Sequence, residues 1–149
     1  MAGEVEKTPS SIAPPLLVAA LVCDVAVADP STGKKTLIGI FDRIVVKQFP
    51  TSRQMAVYLK VTDAIGTYNL SIKYVRTETD EVLGEVKGQL GASDPRRSQD
   101  LSVQLPPVPI PAAGRYEFRV FADSVYIGAA FVDAVERAAV EKPKVKGDA

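Results

Sequence analysis

Between Gln54 and Val61 apolar and polar positions alternate, with Met55, Val57, Leu59 and Val61 on one face and Gln54, Ala56, Tyr58 and Lys60 on the other. A repeat of two belongs to a β-strand with one buried face, because successive side chains leave a pleated strand on opposite sides. The pattern returns with Tyr68, Leu70, Ile72 and Tyr74 against Asn69, Ser71 and Lys73, then with Leu101, Val103 and Leu105. Tyr116, Phe118 and Val120 repeat it against Arg115, Glu117 and Arg119. Apolar-rich runs at 16–28, 36–46, 82–90 and 125–132 add four more strands, for a total of eight. No helical periodicity separates them, so the pattern predicts an all-β domain, either a sandwich or a barrel.

The joints carry turn chemistry. Asp29-Pro30-Ser31-Thr32-Gly33 combines a proline that presets the first turn residue with a glycine suited to positive φ, which predicts a hairpin between the first two strands. Asp63-Ala64-Ile65-Gly66, Thr79-Asp80-Glu81, Asp94-Pro95 and Asp123-Ser124 mark the later bends. Gly84 and Gly88 fall on the same side of their strand as Val82 and Val86, a placement expected of an edge strand or a bulge.

From Leu105 to Gly114 the chain reads Leu-Pro-Pro-Val-Pro-Ile-Pro-Ala-Ala-Gly, and its four prolines lack amide hydrogens. It is expected to stay out of any ladder and to run as an extended connection from one sheet to the other. Gly114-Arg115-Tyr116 follows, matching a tyrosine corner, in which the hydroxyl bonds to backbone upstream. The reading is an immunoglobulin-like Greek-key β-sandwich of eight antiparallel strands. Antibody-type domains are excluded, since Phe118 stands where their second cysteine would be and the chain has no tryptophan.

The core also resembles a family of small bacterial proteins of unknown function. The resemblance rests on Leu21-Val22-Cys23-Asp24, on Gly33-Lys34 with Leu37-Ile38-Gly39-Ile40-Phe41-Asp42, on Val57 to Asp63, and on Gly114-Arg115-Tyr116-Glu117-Phe118. It covers most of residues 16 to 133, implies the sandwich fold, and carries no functional residue with it.

Length, charge and cysteine content narrow the picture further. The 149 residues suit one domain able to bury roughly two-thirds of its unfolded surface. Residues 1–14 and 136–149 are polar and aperiodic and read as tails around a domain at 15–135. Lys plus Arg and Asp plus Glu number 18 each, so no basic surplus points to nucleic acid or an anionic membrane. The single cysteine, Cys23, has no partner for a disulfide, which fits a cytoplasmic protein, and its expected fate is burial. Leu16 to Cys23 imitates a lipoprotein leader, but Glu4 and Glu6 precede it and bulky Val22 sits before the cysteine. The run is too short to span a bilayer and reads as the first strand.

Candidate chemistry is thin. The chain contains no histidine, so the commonest general base and zinc ligand is missing. No nucleophile motif and no catalytic, metal or cofactor residue can be assigned. An enzyme working through carboxylates alone would need a cleft lined by two of them. Asp29, Asp63, Asp94 and Asp123 are calcium-ligand types but lack calcium-loop spacing, and turn aspartates usually bond to their own backbone. Gly33-Lys34-Lys35-Thr36 resembles part of a phosphate loop but lacks its upstream glycine and its following helix. Pro106-Pro107-Val108-Pro109 satisfies a proline-ligand motif within a segment expected to be packed. Arg96 and Arg97, beside Asp94, are the possible contact residues, because guanidinium forks suit carboxylates and phosphates. The expectation is a non-enzymatic interaction or structural protein, without cofactor, that engages a protein partner or itself. The alternative is a module binding a glycan or, with calcium, a lipid headgroup.

Overall fold

A computed structural model of the chain describes residues 13–137. The expected tails therefore lie almost wholly outside the described residues. Among the described residues eleven strands follow one another: β1 (Leu16–Ala28), β2 (Lys35–Ile40), β3 (Arg43–Val46), β4 (Thr51–Arg53), β5 (Ala56–Thr62), β6 (Gly66–Arg76), β7 (Glu81–Ala92), β8 (Gln99–Gln104), β9 (Val108–Ile110), β10 (Gly114–Ala122) and β11 (Val125–Glu136). They form a five-stranded sheet in the order β3-β11-β10-β6-β7, a four-stranded sheet in the order β2-β1-β5-β8, and the short ladder β9-β4. All pairings are antiparallel except β3 with β11. The chain leaves β7 in one sheet, adds β8 to the other, and returns to insert β10 between β6 and β11. That Greek-key path through two layers defines an immunoglobulin-like β-sandwich.

The alternating rows meet between the layers. Val22, Val57 and Leu59 of the four-stranded sheet pack on Ile72, Tyr74, Tyr116, Phe118, Val120 and Val132 of the five-stranded sheet. A smaller cluster of Val61, Ala64, Tyr68, Leu70, Leu90 and Ala122 closes one end. The expected tyrosine corner is present: the Tyr116 hydroxyl donates to the Ala112 carbonyl at 2.6 Å and accepts from the Ala112 amide at 3.1 Å. A second tyrosine fastens the same connection, Tyr74 donating to the Pro109 carbonyl at 2.7 Å.

Turn chemistry follows the sequence closely. In the first hairpin the Gly33 amide bonds to the Asp29 carbonyl at 2.8 Å with Gly33 at φ 75°. Asp123 and Ser124 both take positive φ, as a two-residue hairpin requires. β7 is an edge strand, and its register with β6 shifts between Val82 and Gly84, so both readings of the glycine pattern hold.

Two expectations are corrected. Residues 36–46 are not one strand but two, and they belong to different sheets. Gly39 bends the chain at φ 71°, the Phe41 amide makes a bond to the Val22 carbonyl at 3.0 Å, and the Asp42 carbonyl then accepts from Asp133 of β11 at 2.9 Å. The proline-rich connection also joins a ladder after all, with Val108–Ile110 paired to Thr51–Arg53. In an antiparallel pair only alternate residues direct amides at the partner, so Pro109, flanked by Val108 and Ile110, leaves the short ladder intact.

A further feature is a flap. β1 pairs with β5 only as far as Cys23, and beyond that only with β2. The hairpin bends over the outer face of the four-stranded sheet, where Lys35 bonds to Asp100 at 2.8 Å and Arg53 to Asp24 at 3.0 Å. Cys23 and Ala56, opposite each other on that outer face, are thereby fully buried. The cysteine is enclosed as a small apolar residue, and burial together with neighbouring Asp24 raises its thiol pKa.

Candidate interaction surface

Among the described residues β7 is hydrogen-bonded to β6 alone, so one flank of this twelve-residue strand faces away from the sheet. Its outward side chains alternate in sign: Glu85 and Lys87 stand opposite Lys73 and Ser71 of β6. The Ser71 hydroxyl donates to the Glu85 carboxylate at 2.6 Å and, with help from Lys87 and Lys73, holds that carboxyl below its usual pKa. The inward positions are sparse, since a Cβ placed on Gly84 or Gly88 would have no neighbour within 4 Å. An apolar groove of about 220 Å³ opens beside them, walled by Tyr74, Leu83, Val86, Leu105 and Pro106 to Pro109.

The outer face of the same sheet holds an open trough of about 740 Å³, lined by Asn69, Ser71, Lys73, Glu85, Lys87, Gln89 and Phe121 among others. The Gln89 side-chain amide donates to Asn69 at 3.2 Å, Lys73 lies 4.9 Å from the centre of the Phe121 ring, and Tyr126 meets that ring edge-on at 5.7 Å. Tyr126 is 55% exposed, whereas Tyr58 is partly buried under the flap and donates to Asp100 at 2.9 Å. The alternation places Tyr58 opposite a core row, and only the sheet packing shows that the flap covers it.

Arg96 and Arg97 lie in the β7–β8 loop. The Arg96 backbone amide and Nε both donate to Asp94 Oδ1, at 3.0 and 3.3 Å. Arg97 lines a polar depression of about 430 Å³ together with Ser93, Asp94, Ser98, Gln99 and Asp100. Asp94 and Asp100 line that depression with Arg97, and both carboxyls are held below their usual range. Hydrogen bonds from Arg96 lower the Asp94 pKa. Partial burial opposes the charge of Asp100, yet the bonds from Lys35 and Tyr58 outweigh it and hold this carboxyl low as well. Tyr58 is pushed up to about 12 by desolvation and by Asp100.

The remaining motifs resolve as structure. Lys35 of the Gly-Lys-Lys-Thr stretch is the flap's anchor rather than a phosphate ligand. Among the described residues no three acidic or cysteine side chains gather into a possible metal site, so Asp29, Asp63, Asp94 and Asp123 do not converge. The flap itself turns Val25, Val27, Ile38 and Ile40 outward, each at least 40% exposed. No described helix is long and apolar enough to cross a membrane.

The two-layer Greek-key arrangement and its surface define an immunoglobulin-like sandwich domain. Residues 18–131 match the model of a family of unknown function, DUF6941, and the chain belongs to that family. The chain is similar to the CARDB domain, solved in complex with di-metal ions, of a Pyrococcus furiosus protein; identity is 14%, coverage 81% of this chain and 89% of that one, and the TM-score 0.37. It is also similar to an immunoglobulin-like protein from Pseudomonas aeruginosa, with identity 10%, coverage 84% and 99%, and a TM-score of 0.34. No curated protein matches the sequence.

Proposed function

We propose that the protein is a non-enzymatic interaction module that associates with a protein partner or with itself through the free flank of β7. One observation carries this reading: a twelve-residue edge strand, paired on one side among the described residues, runs beside an apolar groove. An added strand would satisfy the outward backbone groups, and the open space at Gly84 and Gly88 leaves its backbone free to approach. Paired and pKa-lowered carboxylates, together with the absence of histidine, support the non-enzymatic part. A reducing compartment such as the cytoplasm suits its single buried thiol.

The test is light scattering over a dilution series combined with hydrogen exchange of the β7 amides. Association with concentration-dependent protection of β7 is expected. A monomer at every concentration, with β7 amides that stay unprotected when candidate partners are added, overturns the reading. A glycan-binding role is the second reading, favoured by the trough in which Asn69, Ser71 and Gln89 lie near the exposed Tyr126 system. Glycan-array signals abolished by Tyr126→Ala would support it, and a silent array would remove it.

A further inference from the structure

We infer that the partner on β7 is a second copy of this chain, joined about a two-fold axis at Val86 to make a continuous ten-stranded sheet. This rests on the edge-association reading above and deepens it. Antiparallel pairing of two identical strands about Val86 sets Glu85 opposite Lys87 of the second copy and Lys87 opposite its Glu85. Both cross-strand pairs are then of opposite charge. Moving the axis to residue 85 or 87 stacks Glu85 on Glu85 or Lys87 on Lys87, and like charges directly opposite one another are destabilising.

The rest of the strand agrees with this register. Pairing of β7 with β6 is regular from Gly84 onward, so the span from Gly84 to Gly88 presents an undistorted edge, and the shift lies just before it, between Val82 and Gly84. On the inner side Gly84 faces Gly88 of the second copy, and nothing stands within 4 Å of where either Cβ would be. The two Val86 side chains, partly buried in the single chain, meet at the centre next to the apolar groove. A lysine on an exposed edge ordinarily discourages strand addition. Here Lys87 deters foreign apolar edges and is neutralised by Glu85 of its own kind, so the edge selects its own copy. The pairing is isologous and closes at two subunits.

The experiment is charge exchange on the full chain, read by analytical ultracentrifugation, with thermal unfolding to confirm that each variant is folded. Glu85→Lys alone or Lys87→Glu alone is expected to weaken the dimer by about tenfold or more. Mixing the two single variants is expected to restore association as a heterodimer, because a basic edge then faces an acidic one. Raising the salt concentration weakens the wild-type dimer, since both pairs are exposed. A wild-type dimer that ignores both variants, or one abolished by Ile38→Lys but untouched by charge exchange, overturns this register and leaves edge or surface association standing. A wild-type chain that stays monomeric at millimolar concentration overturns the inference and, if no other partner protects β7, the broader reading with it.

Discussion

Single residues hold this sandwich at points where an extended chain has to change direction. Tyr116 anchors the crossover at Ala112, and Tyr74 anchors it again at Pro109. The first bond was legible from Gly-x-Tyr after a proline run; the second was not, because Tyr74 looks like any other core position of an alternating strand. Asp100 plays a comparable part for the flap, accepting from Lys35 and Tyr58. Its folded-state pKa is lowered, so its contribution is fully present above the ordinary carboxylate value of about 3.9 and is lost as pH falls from there through the lowered folded value. At neutral pH Asp100→Asn is expected to cost about 0.5–1 kcal/mol, discounted for the partial exposure of the pair. The variant should show a shallower loss of stability below about pH 4. Urea unfolding at several pH values checks this; Asp29, Glu85, Asp94 and Asp133 are lowered too, so part of the acid slope must remain.

At the scale of elements, the five-residue turn at Asp29, the tight turn at Asp123-Ser124 and the weakened edge at β7 were all readable, because turn residues and glycine positions act locally. The splitting of residues 36–46 was hidden. Leu37, Ile38, Ile40, Phe41, Ile44, Val45 and Val46 give a nearly continuous apolar record, broken by Asp42-Arg43 where the strands part and, inside β2, by Gly39. Its φ of 71° disfavours any residue with a Cβ, and the Asp24 carboxylate occupies the space a Cβ would take. Gly39→Ala is therefore expected to destabilise the domain by about 1–3 kcal/mol. It should also loosen the flap, seen as faster hydrogen exchange in β2 and increased reactivity of the Cys23 thiol beneath it. Unchanged exchange and thiol reactivity would show that the bend does not secure the flap.

For the whole molecule, the core is one body shared by both layers. Phe118 is 2% exposed, lies 4.9 Å from the Tyr74 ring, and belongs to the cluster that includes Val57 and Leu59 of the facing sheet. Phe118→Ala is expected to cost about 3–5 kcal/mol. Because neither sheet keeps its apolar face covered without the other, both should be lost in a single transition. Coincident unfolding curves from far-ultraviolet dichroism and tyrosine fluorescence check this; separate curves would mean that the layers fold independently.

Alternation, turn residues and the tyrosine corner depend on neighbours within a few positions, so the all-β class, most of the strands, the composition of the core and the edge character of β7 are written locally along the chain. Three things depend on which strands lie side by side and which faces are covered, and these arise only when the layers assemble. They are the flap that buries Cys23, the depression that Arg97 shares with Asp94 and Asp100, and the cross-strand neighbours of Glu85 and Lys87. Register and layer contacts join residues dozens of positions apart, and the free energy that selects them comes from mutual burial rather than from any local preference.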